Sequence, residues 1–240
     1  MIDTLLLDLD GTLIRYTQEA FLGTYLGALA GVFAGLGLDA KASVKALWAS
    51  TEVMVANDGS ASNAQRFWAD FAVRLELDAA AVARIEAACE EFYSGGFNVV
   101  KSVAEPSEIP QRLVRALAAK GYTLVLATNP LFPECAVETR LAWIGLTPQD
   151  FDLVTHYENS SYCKPNLGYY REIFAKLGKA PEQCLMVGNS LAEDMCAGEL
   201  GAETFLVTDY REDDTGADLA GLRHGTLAEA EAWLMELPEL

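Results

Sequence analysis

Four short stretches of the chain bring together residue types that can do chemistry. Asp8-Leu9-Asp10-Gly11-Thr12-Leu13 closes an apolar run and sets two carboxylates two residues apart, on the same side of an extended backbone. Paired carboxylates are the usual means of giving and taking protons at a reacting group. Thr128-Asn129 closes a second apolar run, Lys164-Pro165 lies in the loop after a third, and Gly188-Asn189-Ser190 with Glu193-Asp194 follows a fourth. Singly, each has an ordinary explanation: a solvated turn, a helix cap, a loop lysine in water. In this order, on successive strand ends, they form one rim.

The elements that must carry this rim can be read from the apolar pattern. Residues 4–9, 122–128, 151–155, 184–188 and 203–208 are short, continuous apolar runs, which predict five parallel strands buried on both faces. Stretches 107–120, 133–144, 166–177 and 191–200 have helical periodicity, and Gly121, Gly145, Gly178 and Gly201 stand where left-handed C-caps belong. A last helix starts at Leu227 behind a Thr226/Glu229 capping box, after an acidic loop over 211–216. Alternating strand and helix predicts an α/β fold, a doubly wound, Rossmann-like parallel sheet whose ligands bind beyond the carboxyl ends of the strands. Residues 16–95 break the alternation. They read as all helical, with Trp48, Phe67, Trp68, Phe71 and Phe92 as a core of their own and Asn57-Asp58-Gly59-Ser60 as a turn. The expected organisation is therefore a core of 1–15 and 96–240 with an inserted helical cap of 16–95.

Composition narrows the partners. With 17 Lys and Arg against 35 Asp and Glu, the net charge is −18, which disfavours phosphate-rich nucleic acid and anionic membrane surfaces. A small phosphorylated ligand could be held only where a local cation or metal reverses the field. The five cysteines lack C-x-x-C spacing, and His156 and His224 fall in expected surface loops, so no zinc site is expected. Cys163 lies beside Lys164 without a base to activate it. The N-terminus has no signal-peptide pattern, and reduced thiols in the cytoplasm are the expectation. One segment points elsewhere: residues 20–38 carry no charge, and Gly23, Gly27, Gly31 and Gly35 recur every fourth position, as in close-packed membrane helices. Flanking Glu19 and Asp39, with no basic cluster, favour a soluble cap helix whose glycine stripe lets a neighbouring helix approach.

The Asp8–Leu13 run, Thr128, Lys164 and the 188–194 run together resemble the four motifs of the haloacid dehalogenase (HAD) superfamily of phosphohydrolases, and the helical insertion resembles its type C1 cap. The resemblance spans essentially the whole chain. It implies Asp8 as nucleophile forming an aspartyl-phosphate, which suits a carboxylate because it is already ionised at neutral pH. It implies Asp10 as the acid and base, with its backbone carbonyl on a metal. Thr128 and the amide of Asn129, at the mouth of the next helix, would hold phosphoryl oxygens, and Lys164 would offset the charge of the transferring group.

The implied metal is Mg²⁺, with Asp8, Asp10 and either Asn189 or Asp194 as ligands. Asn189 departs from the family pattern, which has Asp there; Asp194 could supply the carboxylate or could instead partner Lys164. Ser190 and Glu193 read as a capping box. Substrate choice is assigned to the cap, where Arg15 and Tyr16 mark the exit from the core and the Asn57–Asn63 turn could face the site and read the leaving group. The competing reading is that Asn57 only makes the turn, with Ser62 or Asn63 capping the next helix. The expected function is a Mg²⁺-dependent phosphatase acting on a small phosphorylated metabolite. Retention of Asp10 separates it from dehalogenases and phosphonate hydrolases; a phosphomutase, a halogen-removing relative or a non-catalytic phospho-ligand binder are the alternatives.

Overall fold

The computed structural model describes residues 1–211 and 216–240; most of the expected acidic loop over 211–216 lies outside the described residues. Six parallel strands form one sheet in the order β3-β2-β1-β4-β5-β6. β1 (Thr4–Leu7) lies between β2 (Thr123–Leu126) and β4 (Cys184–Gly188), followed outward by β3 (Leu153–Val154) on one side and β5 (Glu203–Val207) on the other. β6, only His224–Gly225, was not among the five expected strands, because two residues carry no periodic signal. It pairs with Leu206 and Val207.

Neighbouring residues of each strand face opposite sides, so both sides must be covered. Leu5 and Leu7 join one apolar cluster with α5 (Ile109–Ala119), α6 (Glu134–Trp143) and α8 (Leu227–Met235). Leu6, Val125 and Met186 join a second cluster with Tyr169, Tyr170 and Ile173 of α7 (Leu167–Leu177). The expected C-cap glycines 121, 145, 178 and 201 all have positive φ. The helix expected over 191–200 is instead a turn followed by a 3-10 helix, Met195–Leu200.

The insertion is helical throughout: α1 (Gln18–Gly35), α2 (Ala40–Val55), α3 (Asn63–Arg74) and α4 (Ala79–Ser94), then a 3-10 segment, Gly96–Val103. Thr17, Asp39, Ser62 and Asp78 cap the four α-helices through side-chain oxygens, each taking a free amide of the first turn. Ser62 and Gln65 form a full capping box. Both linkers to the core meet in a β-bridge between Arg15 and Glu105. Aromatic rings continue from the cap into the core, with Phe132 packed on Phe21, Tyr25 and Phe97.

Two cap expectations are corrected. Trp48, expected in the cap core, is 42% exposed. The glycine stripe does not pack against a helix: Gly23, Gly27, Gly31 and Gly35 are exposed, and a Cβ added at any of them meets nothing within 4 Å. The buried stripe of α1 is Phe21, Tyr25, Leu29 and Phe33, with the same four-residue spacing on the other side. Among the described residues no helix is long and apolar enough to cross a membrane. Since glycine weakens a helix interior and these positions have open space, Gly23→Ala, Gly27→Ala and Gly31→Ala should each stabilise the protein by about 0.5–1 kcal/mol in urea unfolding.

Candidate active site

Strand register brings three of the four motifs together, and the loop after β3 brings Lys164 to them. Leu7 lies beside Leu126 and Val187, so Asp8, Ala127-Thr128 and, just past the last β4 residue Gly188, Asn189 emerge on one edge. Asp8 donates its amide to Val187 O at 2.9 Å, and Ala127 donates to Leu7 O at 2.8 Å, continuing the ladder as far as the site.

At the centre, Lys164 Nζ donates to Asp8 Oδ1 at 2.9 Å and to Asp194 Oδ1 at 2.6 Å. All three are buried, with Lys164 and Asp194 each 1% exposed. Burial works against the ammonium, but Asp194 and Asp8 outweigh it and hold Lys164 well above the usual lysine range. Burial pushes the Asp8 carboxyl up to about 7 despite the pull of Lys164, and the charges of Asp194 and Asp10 add to the rise. One cation is thus shared by more acid than it neutralises. Thr12 Oγ1 donates to the other oxygen of Asp8 at 2.9 Å.

Asp10 is held by two residues that the sequence reading did not connect to it. Tyr16 donates its hydroxyl to Oδ1, and Arg140 of α6 pairs with Oδ2. Arg140 is fully buried and lies over the Phe132 ring, 4.5 Å from its centroid. Burial disfavours its charge, yet Asp10 and Tyr16 raise the guanidinium above its ordinary range. Burial and the Asp10 charge likewise keep the Tyr16 hydroxyl protonated. The signal was present: Arg140 falls among Ala136, Val137 and Leu141 on the apolar stripe of α6, and a charge there requires a buried partner.

The other expected site residues divide. Thr128 and Asn129 line the cavity above Asp8. However, α6 begins only at Glu134, so the Asn129 amide is not at a helix N-terminus; the chain bends at Pro130, with the Leu131 amide bonded back to Asn129 O at 2.7 Å. The Asn129 side chain bridges loops instead, donating to Glu193 Oε2 at 2.9 Å and accepting from the Lys164 amide at 3.2 Å. Ser190 Oγ accepts the Glu193 amide at 3.1 Å, which is half of the expected capping box, while the Glu193 carboxylate reaches Asn129.

Asp194 is engaged at both oxygens, by Lys164 and by the Ser190 amide at 3.0 Å, and is so close to Gly188 that a Cβ there would fall 2.2 Å from it. It is placed as the partner of Lys164. Asn189 also lines the cavity; its amide nitrogen donates to Tyr210 O at 2.6 Å, which turns its oxygen to the other side. Gly11, at φ 74, lies against it, where a Cβ would come within 2.1 Å of Asn189 Nδ2. Among the described residues, no group of three or more His, Cys, Asp or Glu side chains is arranged to hold a metal.

Asn57 and Asn63 do not line the cavity. Both are buried. Asn57 Nδ2 donates to Asn63 Oδ1 and to Ala61 O, each at 2.9 Å, and Asn63 Nδ2 reaches Tyr162 O at 3.2 Å and Cys163 Sγ at 3.3 Å. With the backbone bond from Asn63 to Ser160 O, the turn fastens the cap to the core rather than reading a ligand. Cys163 is inert here, its thiol pushed up to about 12 by burial. His156 is not a surface residue: it is 8% exposed and its Nδ1 lies 2.6 Å from Glu158. His224 is exposed, at the sheet edge.

These pairings make Asp8 and Asp10 unequal in their effect on stability. Asp8→Asn leaves Lys164 paired with Asp194, whereas Asp10→Asn strands the buried Arg140 charge. Thermal unfolding should show Asp10→Asn losing about 3 kcal/mol and Asp8→Asn much less. The raised Asp8 also has a pH signature in metal-free protein. The native state keeps its proton up to about 7, while the unfolded chain releases it near the ordinary carboxylate value, so ionisation of Asp8 removes stability as pH rises between the two. Asp8→Asn abolishes this loss, and its stability relative to the parent should rise from about pH 4 to about pH 8 in urea unfolding with chelator.

The family model for haloacid dehalogenase-like hydrolases matches residues 2–201. No curated protein matches the chain. Among solved structures, the HAD phosphatase from Thermococcus onnurineus is 20% identical over 100% of both chains, with a TM-score of 0.61. CbbY from Rhodobacter sphaeroides, in complex with phosphate, is 21% identical over 99% of this chain and 100% of that one, with a TM-score of 0.60. The L-2-haloacid dehalogenase from Xanthobacter autotrophicus, with chloropropionic acid covalently bound, is 13% identical over 99% of this chain and 100% of that one, at 0.58. At these identities the structures show a shared fold. The match of the family model over most of the sequence shows more: the chain belongs to the haloacid dehalogenase-like hydrolases.

Proposed function

We propose that the protein is a Mg²⁺-dependent phosphatase that hydrolyses a small phosphate monoester through an aspartyl-phosphate. The observation that carries this reading is the pair of carboxylates, Asp8 and Asp10, of which one is fixed by Lys164 and Thr12 and the other by Arg140 and Tyr16. Asp8 would attack phosphorus as the bond to the leaving oxygen breaks. Lys164 stands beside the attacking carboxylate and would offset the charge gathered there. Water would then attack the phosphoryl group, giving up a proton to Asp10 and freeing Asp8 and inorganic phosphate. As held here, both oxygens of Asp10 are hydrogen-bond acceptors, which suits this base step; donating a proton in the first step requires Asp10 to part from Arg140 and to be protonated.

The donor set fits a hard divalent cation. The Asp8 carboxylate, the Asp10 backbone carbonyl and the Asn189 amide oxygen are all oxygen donors at one edge of the sheet, and the charges of Asp194 and Asp10, which add to the rise that burial causes in Asp8, are ones a cation would offset. When bound, Mg²⁺ would supply charge neutralisation between nucleophile and phosphate. Asn189 brings no charge, so the ion would have fewer anionic ligands than where Asp stands at that position. The phosphate-bound CbbY structure supports a phosphorylated ligand.

A second reading, cleavage of a carbon–halogen bond, is favoured by one observation. Asp10 is clamped by Arg140 and Tyr16, and displacement of a halide by Asp8 needs a nucleophile but no acid. The dehalogenase with covalently bound chloropropionic acid shares this fold. Assays of p-nitrophenyl phosphate with Mg²⁺ or with EDTA, beside chloride release from chloropropionate, separate the two. Phosphate release should require Mg²⁺ and fall at least about a thousandfold in Asp8→Asn. Metal-independent chloride release without phosphate release would replace the phosphatase reading with the second.

A further inference from the structure

The phosphate chemistry uses only the floor of a much larger cavity. About 340 Å³ in volume, it rises from Asp8 and Thr128 between α1, α2 and α3, where Phe21, Leu26, Phe67, Trp68 and Phe71 form the wall. A dry apolar cavity of about 150 Å³ is enough for a benzene ring, so this one has room for a fused pair of rings.

Its polarity is as informative as its size. Among the described lining residues, none from the cap carries a charge. The tyrosine hydroxyls around it already have partners: Tyr25 bonds Tyr93 at 2.6 Å, Tyr157 accepts from Trp68 Nε1 at 3.1 Å, and Tyr16 donates to Asp10. Arg211 is the sole Lys or Arg among the described lining residues, and it follows Tyr210, whose carbonyl holds Asn189 on the core side. Of the other polar side chains that the cap contributes, Thr17 caps α1 and Thr51 donates to Leu47 O at 2.9 Å; away from Gln18, a sugar or a second phosphate placed against the cap wall would lose hydration at each polar group with little in return. An apolar group would instead release water from ring surfaces.

We propose that the cavity receives an uncharged, apolar organic group attached to the phosphate, so that the substrate is the monoester of a hydrophobic alcohol rather than of a sugar or polyol. Hydrolysis then releases that alcohol and inorganic phosphate. The phosphate end of this inference rests on the phosphatase reading; the apolar end rests on the cavity alone.

Two esters of primary alcohols, naphthylmethyl phosphate and a hexose phosphate esterified at its primary hydroxyl, have similar intrinsic reactivity and differ in what the cap must accept. With Mg²⁺, kcat/KM should favour the naphthylmethyl ester by at least about a hundredfold. Titration with naphthylmethanol, read by tryptophan fluorescence, probes the cavity without turnover. It should saturate in the parent and weaken at least about tenfold in Leu26→Asp, with Leu22→Asn as a milder change on the same wall. A rate ratio near unity or in favour of the sugar ester overturns the inference while the phosphatase reading stands. Absence of saturable binding in the parent also overturns it. Saturable binding that weakens in the variants, with neither ester hydrolysed, upholds the apolar cavity and defeats the phosphatase reading instead.

Discussion

A single ammonium group, Lys164 Nζ, sits between two buried carboxylates that arrive from different strand ends, Asp8 from β1 and Asp194 from the turn after β4. Removing such a charge leaves its partners uncompensated in a low-dielectric setting, at a cost of about 3–5 kcal/mol. Much of the rim is built around keeping it. Gly188 has no side chain because Asp194 occupies the space, and Asn129 grips both the Lys164 backbone and Glu193. The lysine is therefore a structural keystone as well as the partner of Asp8, the carboxylate proposed to react.

Around that keystone the charges do not balance. The chain as a whole carries −18, and the rim concentrates Asp8, Asp10, Asp194 and Glu193 against Lys164 and Arg140. At a distance, an anionic ligand meets a repulsive field. At the floor of the cavity it meets Asp8, which Lys164 pairs with from beneath, and a set of oxygen donors suited to a cation. The cap residues that line the cavity add no further charge above the site.

The core of the fold was legible because its strands are continuous apolar runs ending in polar residues, and because Asp-x-Asp-Gly-Thr is a compact motif on one strand. What could not be read was register, which decides that Asp8, Thr128 and Asn189 emerge side by side. The α1 stripe misled for a definite reason. Glycines at 23, 27, 31 and 35 and large apolar residues at 21, 25, 29 and 33 share one period, so spacing alone does not say which side is buried; the side with more apolar area to hide is. Asn57 and Asn63 misled because amides in an apolar region suggest a ligand, whereas here they satisfy one another and the backbone carbonyls of the cap–core junction. The helix expected after Ser190 gave way to a tighter turn, in which Asp194 is brought back onto the Ser190 amide.

Arg140 has an evolutionary consequence. It is fully buried on a helix far along the chain from Asp10, and Asp10 is the carboxylate that pairs with it among the described ion pairs. The two positions cannot drift independently: a lineage that lost the acid would strand the guanidinium, and one that lost the guanidinium would free the acid to turn.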